Sequence, residues 1–128
     1  MSDGKKLRVL VVEDDRDMAF TISKLLVKEF SVEVDTALDI DSAKRRIADG
    51  HYDLATIDYQ LPDGNGIGLL DLMAAEGLDT RSIVITGHGD EEVAARAFEA
   101  GAIAYIKKDA RLARSISDAF RRAFPNND

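Results

Sequence analysis

Hydrophobic side chains along this chain fall into two alternating kinds of pattern. Four short apolar runs, Leu7 to Val12, Leu54 to Ile57, Ile83 to Ile85 and Ala102 to Ile106, are rich in Val, Ile and Leu or carry an aromatic residue. A fifth, Val32-Glu33-Val34-Asp35, alternates apolar with polar. Near-continuous runs suit strands covered on both faces, and the alternating one suits a strand nearer an edge. Between the runs the apolar spacing changes to three or four. Met18, Ile22, Leu25, Leu26 and Phe30 mark a first helix, and Ile40, Ala43 and Ile47 a second. The second ends before Gly50, the residue type best suited to a left-handed cap. Leu69, Leu70 and Met73 belong to a third helix that stops by Gly77, and Val93, Ala94 and Ala97 place a fourth before Gly101. Leu112, Ile116, Ala119, Phe120 and Ala123 form the stripe of a fifth.

Strands alternating with helices predict an α/β fold: a five-stranded parallel sheet with helices on both faces. Right-handed crossovers fix most of the topology, and the expected strand order is 2-1-3-4-5, the flavodoxin-like arrangement of five βα units. One domain is expected over residues 5–124, with a tail at 125–128 and no room for a second domain. The 128 residues include no cysteine, which removes disulfides, thiol nucleophiles and thiolate zinc sites together. The longest apolar run is five residues, far short of the ~20 of a membrane helix. Lys5 and Lys6 open no signal peptide, because Arg8 and Glu13 interrupt the apolar stretch after them. With 17 basic and 24 acidic side chains the net charge is −7, which argues against direct nucleic-acid binding. A soluble, cytoplasmic domain with no membrane contact is the expectation.

In a parallel sheet the carboxyl ends of all strands share one edge, where ligands bind. After the first run come Glu13, Asp14 and Asp15. Asp58 follows Ile57, Thr86 follows the fourth strand, and Lys107 and Lys108 follow the last. Carboxylates crowded there repel, by on the order of 4 kcal/mol per pair at ~4 Å and an effective dielectric of ~20. Such a cluster calls for a neutralising partner, and magnesium, which takes oxygen ligands and needs only one or two carboxylates, is the natural one. Asp58 ends a central buried run just before the turn Leu61-Pro62-Asp63-Gly64, which makes it the candidate nucleophile toward phosphorus. Lys108 would add positive charge, and Thr86 a hydroxyl for a phosphoryl oxygen.

The whole chain resembles a response-regulator receiver domain, the phosphoacceptor half of two-component signalling. Val11-Val12-Glu13-Asp14-Asp15 resembles the acidic motif ending the family's first strand, and Asp58 through Gly66 the motif around its phosphorylated aspartate. Val84-Ile85-Thr86-Gly87 matches the hydroxyl position, and Gly101 through Lys108 the last strand with its aromatic and lysine. The resemblance implies that Asp14 and Asp58 bind Mg2+ directly, with the Gln60 main-chain carbonyl as a further ligand and Glu13 acting through water. It implies Lys108 on the phosphoryl group and Thr86 and Tyr105 as switch residues. The donor would be a histidine kinase or phosphotransfer protein docking at helix 1. The output would pass through the helix 4, strand 5 and helix 5 face to an effector domain or protein, and a homodimer is among the assemblies implied. Phosphotransfer and slow autodephosphorylation would act on the protein itself, without turnover of a separate substrate.

The chain departs from the family where Asp109 stands in place of the usual proline after the lysine. A trans bond or a rearranged loop is expected there, because a cis bond before a non-proline costs roughly 2.5–4 kcal/mol. Lys107 is the alternative lysine, although adjacent strand residues point to opposite faces and only one can serve. Blander readings stand beside these. Asp15 reads as a helix cap, Thr86 alone as a strand-end threonine bonding its own backbone, and Tyr105 alone as half-buried packing. His51 reads as a surface turn residue without a partner set, and His88 as a plain loop histidine beside the site. Arg111, Arg114, Arg121 and Arg122 give the last helix a basic face that is either solvated or suited to an acidic partner. The competing functions are a receiver-like interaction module no longer phosphorylated, the receiver part of a hybrid histidine kinase or multidomain regulator, and a flavin carrier. A flavin carrier needs a hydroxyl-rich phosphate loop where Glu13-Asp14-Asp15 stands.

Overall fold

A computed structural model describes residues 6–126; Lys5 and the last two tail residues lie outside them. Five strands, β1 (Leu7–Val12), β2 (Val32–Ala37), β3 (Leu54–Asp58), β4 (Arg81–Thr86) and β5 (Ala104–Lys107), alternate with five helices. The helices are α1 (Arg16–Glu29), α2 (Ile40–Asp49), α3 (Gly66–Ala75), α4 (Glu91–Glu99) and α5 (Leu112–Ala123). The sheet is wholly parallel in the order β2-β1-β3-β4-β5, as expected. A minimal antiparallel ladder, Gln60–Leu61 against Gly64–Asn65, forms a hairpin between β3 and α3 that the apolar pattern did not announce. No helix among the described residues is long and apolar enough to cross a membrane.

Side-chain alternation sorts the core into two layers. Val9, Val11, Leu54, Ile83, Ile85 and Ile106 face α1 and α5, whose Ile22, Leu26, Ile116 and Phe120 complete that layer. Leu10, Val12, Ala55, Ile57 and Val84 face α2, α3 and α4 through Ala43, Leu69, Met73 and Ala97. Burial on both faces is why β1, β3 and β4 read as unbroken apolar runs.

Helix ends explain where the sequence expectations shift. Asp15 caps α1 as expected, accepting from Met18 N–H at 3.1 Å. Gly77 (φ +70°) and Gly101 (φ +107°) are left-handed caps. In both, the following amide closes on the helix, Leu78 N–H on Met73 O and Ala102 N–H on Ala97 O. That closure commits Ala102 to the end of α4, so β5 starts at Ala104 rather than at the head of its apolar run. Gly50 corrects an expectation: it caps α2 in extended conformation, at φ −169°. A glycine fits there for space, because a Cβ would lie 2.8 Å from Arg8 Nη1, which donates to His51 O.

Candidate functional site

Register decides which strand-end groups meet. Glu13 continues the parity of Val9 and Val11, Asp58 that of Leu54 and Thr56, and Lys108 that of Ala104 and Ile106, all on the α1/α5 side of the sheet. Tyr105 and Lys107 have the opposite parity. Of the two lysines, Lys108 is the one beside the acids: its Nζ lies 2.8 Å from Glu13 Oε1 and 3.0 Å from Asp58 Oδ2. Lys107 is exposed and lies across Gly89. Every described peptide bond is trans. Asp109 takes up a local role, accepting from Arg111 N–H at 2.8 Å at the turn into α5, while Lys108 N–H continues the ladder to Thr86 O.

Glu13, Asp14 and Asp58 each offer a carboxylate oxygen, and the three oxygens lie within 4.8 Å of one another. Glu13 and Asp58 are buried, whereas Asp14 is exposed and opens the cluster to solvent. Backbone amides hold the two buried acids: Asp15 N–H donates to Glu13 Oε2 at 3.1 Å and Gln60 N–H to Asp58 Oδ1 at 3.3 Å. Three carboxylates face one ammonium. The donor set is all oxygen with excess negative charge, so Glu13, Asp14 and Asp58 can hold a hard divalent cation such as Mg2+. Burial pushes the Glu13 carboxyl up to about 7, against the opposing pull of Lys108 and the Asp15 amide. Burial also pulls Lys108 down, but its bonds to Glu13 and Asp58 outweigh this and hold it above its ordinary 10.5.

Thr86 lies buried at the end of β4, and its hydroxyl makes the local bonds of the bland reading. It donates to His88 O at 3.1 Å and accepts from His88 N–H at 3.2 Å. The Tyr105 hydroxyl donates to the same carbonyl at 3.4 Å, so the two candidate switch residues share one acceptor. His51 is exposed but not without partners: its Nε2 lies 2.8 Å from Asp79 Oδ1 and its Nδ1 3.9 Å from Asp53 Oδ1. Those acids lie on loops at the other end of the strands, which the spacing around Gly50-His51-Tyr52-Asp53 did not bring together.

A family model described as the response regulator receiver domain matches residues 9–119. The chain belongs to this family. It is 35% identical over 102 residues to the transcriptional regulatory protein DltR of Streptococcus agalactiae, covering 80% of this chain and 45% of that protein. It is 32% identical over 123 residues to the phosphate regulon transcriptional regulatory protein PhoB of Klebsiella pneumoniae, covering 92% and 53%. A CheY-like response regulator receiver domain protein from Methanospirillum hungatei superposes with a TM-score of 0.83 at 26% identity, over 93% of this chain and 94% of that one. The receiver spans about half the length of the curated relatives it matches.

Two residues near the receiver's acidic site, which the sequence places only in a turn and a motif, make contacts that it does not announce. One is Asp63, whose carboxylate reaches across to α2. The other is Gly66, where an added Cβ would stand 2.6 Å from Asp58 O and 2.7 Å from Ile57 Cγ2. The start of α3 therefore presses directly on the backbone of Asp58, and only a hydrogen fits between them. We expect Gly66→Ala to lose about 1–3 kcal/mol in urea unfolding, the usual cost of overpacking, and to shift the NMR signals of Asp58 and its neighbours. A variant of parental stability with unshifted signals would contradict this contact.

The raised Glu13 carboxyl gives the metal-free receiver a pH dependence of definite sign. Between the ordinary value of 4.5 and about 7, folded Glu13 keeps a proton that the unfolded chain has released. The native state then binds more protons, so stability falls as pH rises through this window, by on the order of 2 kcal/mol. Urea unfolding in EDTA at pH 5 and pH 7.5 checks this, and Glu13→Gln should flatten the difference.

Proposed function

We propose that this receiver is a phosphorylation-dependent switch that accepts a phosphoryl group from a phosphohistidine onto Asp58, with Mg2+ bound at the acidic cluster. The single observation that carries the reading is the convergence of Glu13 and Asp58 on the Lys108 ammonium, at 2.8 and 3.0 Å, beside exposed Asp14. In the transfer, an Asp58 carboxylate oxygen bonds to phosphorus as the donor's N–P bond breaks, and the released imidazole takes a proton. Asp14, Asp58 and the Gln60 carbonyl would hold the metal, and Glu13 would act through water. Bound Mg2+ would neutralise charge on the transferring phosphoryl oxygens.

The protein's own groups do the rest by position. Lys108, charged at any physiological pH, is set to leave Asp58 for a phosphoryl oxygen. Thr86 has a hydroxyl held only by its own loop, so it can exchange His88 O for a phosphoryl oxygen. The His88 carbonyl it leaves would then have Tyr105 as its side-chain donor, which passes the change to the face of α4, β5 and α5. The donor in this reading is a histidine kinase or phosphotransfer protein, and the output is an effector met at that face.

Incubation with acetyl phosphate and Mg2+ tests the reading. Intact-mass analysis should show one added phosphoryl group, and peptide mapping should place it on Asp58. EDTA should abolish it. Labelling at another residue would remove Asp58 as the acceptor, and no labelling with Mg2+ present would favour an interaction module that is no longer phosphorylated.

A further inference from the structure

The hairpin after Asp58 is tied at its tip to another helix. Asp63 Oδ1 accepts from Ile40 N–H at 2.8 Å, and Asp63 Oδ2 accepts from Asp41 N–H at 3.0 Å. These are the first two amides of α2. The helix's own cap, Asp39, serves the third, Ser42 N–H, at 2.8 Å. A helix start leaves its first amides without intrahelical partners, so Asp63 supplies from twenty-odd residues away what Asp39 cannot reach. Gly64 sits against Ile40 so tightly that a Cβ would lie 2.8 Å from Ile40 Cδ1. The tip of the hairpin is therefore held both by charge-assisted hydrogen bonds and by packing.

The other end of the same hairpin carries Gln60, the main-chain ligand of the proposed metal site. Gln60 and Leu61 pair with Asn65 and Gly64, so tip and ligand belong to one short ladder. Its base is fixed by Gly66 N–H donating to Tyr59 O at 2.8 Å. We propose that Asp63 is a positioning residue for the metal site: by clamping the hairpin tip to the start of α2, it holds the Gln60 carbonyl where the cation needs it. This rests on the Mg2+ reading above. It adds that α2, which contributes no residue to the acidic cluster, sets the affinity of that cluster through one exposed carboxylate.

The experiment compares Mg2+ titrations, by calorimetry, of the parent, Asp63→Ala and Asp63→Asn, with amide hydrogen exchange at Ile40 and Asp41 measured in EDTA. Both variants lose the same charge, but asparagine keeps one acceptor oxygen for α2. Asp63→Ala is expected to bind Mg2+ about tenfold more weakly, at the low end of the range for residues that orient metal ligands, with both α2 amides losing protection. Asp63→Asn should lie between it and the parent. Equal weakening in the two variants would mean that charge alone is at work and would overturn the clamp. So would parental affinity in Asp63→Ala once the amides have lost protection, or amides that stay protected without the carboxylate. If the parent shows no saturable binding that Asp14→Ala abolishes, the metal reading itself fails and the clamp falls with it. Amide exchange, which needs no metal, then still reports whether the tie to α2 exists.

Discussion

Asp58→Asn is expected to take up no phosphoryl group from acetyl phosphate and Mg2+, with labelling reduced by at least ~10³-fold and so below detection by intact mass. Asparagine keeps the shape of the side chain and an acceptor for the Gln60 amide, which lies 3.3 Å from Asp58 Oδ1. It lacks the nucleophilic oxygen. Folding should survive, because two effects on stability oppose each other. The variant loses the charge-assisted bond from Lys108, about 1.5–3 kcal/mol, and relieves repulsion between Asp58 and its acidic neighbours, of similar order. Net stability within about 1 kcal/mol of the parent is expected, and a denaturant titration of the same sample checks it. A folded Asp58→Asn protein that still labels would remove Asp58 as the acceptor. An unfolded one would break the charge argument, and Asp58→Glu, which keeps a carboxylate one carbon further out, would then separate chemistry from folding.

Phe120→Ala is expected to cost about 3–5 kcal/mol in urea unfolding, a large fraction of the 5–15 kcal/mol of a typical domain. Phe120 has no exposed surface. Its ring stacks on Phe30 with centroids 4.0 Å apart and tilts against Phe124 at 5.0 Å, so it joins the end of α1 to both ends of the last turn of α5. Truncation leaves a cavity between two helices and the sheet that none of these rings can fill without leaving its partner. Phe120→Leu should cost distinctly less. The same junction carries a half-buried polar tie, the hydroxyl of buried Ser117 donating to exposed Glu29, which Arg121 also approaches at 3.7 Å. A loss under about 1 kcal/mol for Phe120→Ala would show that α5 packs more loosely than its stripe implies.

What could be read along the chain follows from how local each cause is. The sheet was legible because burial on both faces leaves unbroken apolar runs, and Asp15 because a cap acts three residues away. Strand parity even separated Lys108 from Lys107 in principle, since alternation in β5 puts Ile106 and Lys108 on one side. Other features have causes distant in sequence. Asp63 reads as a turn residue until the start of α2 is seen beside it. Gly50 reads as a left-handed cap until the Arg8 guanidinium is found where its Cβ would be. His51 gains Asp79 from a loop that nothing near it announces. The start of β5 was misplaced because Ala102 and Ile103 are as apolar as the strand, and only the closure of α4 shows that Ala102 belongs to a helix end.

Lys108 meets Asp58 across fifty residues of chain, and Glu13 lies further off still. No fragment that lacks the last strand can assemble this pocket, and neither can a partly folded chain in which β5 is undocked. In the proposed Mg2+ reading the ligands come from the ends of β1 and β3, which must both be docked, so a bound ion would stabilise the folded sheet and add about 2.7 kcal/mol when present at a hundred times its dissociation constant. Resistance to proteolysis should therefore rise with cation concentration throughout the domain, not only at the loops that touch the ion.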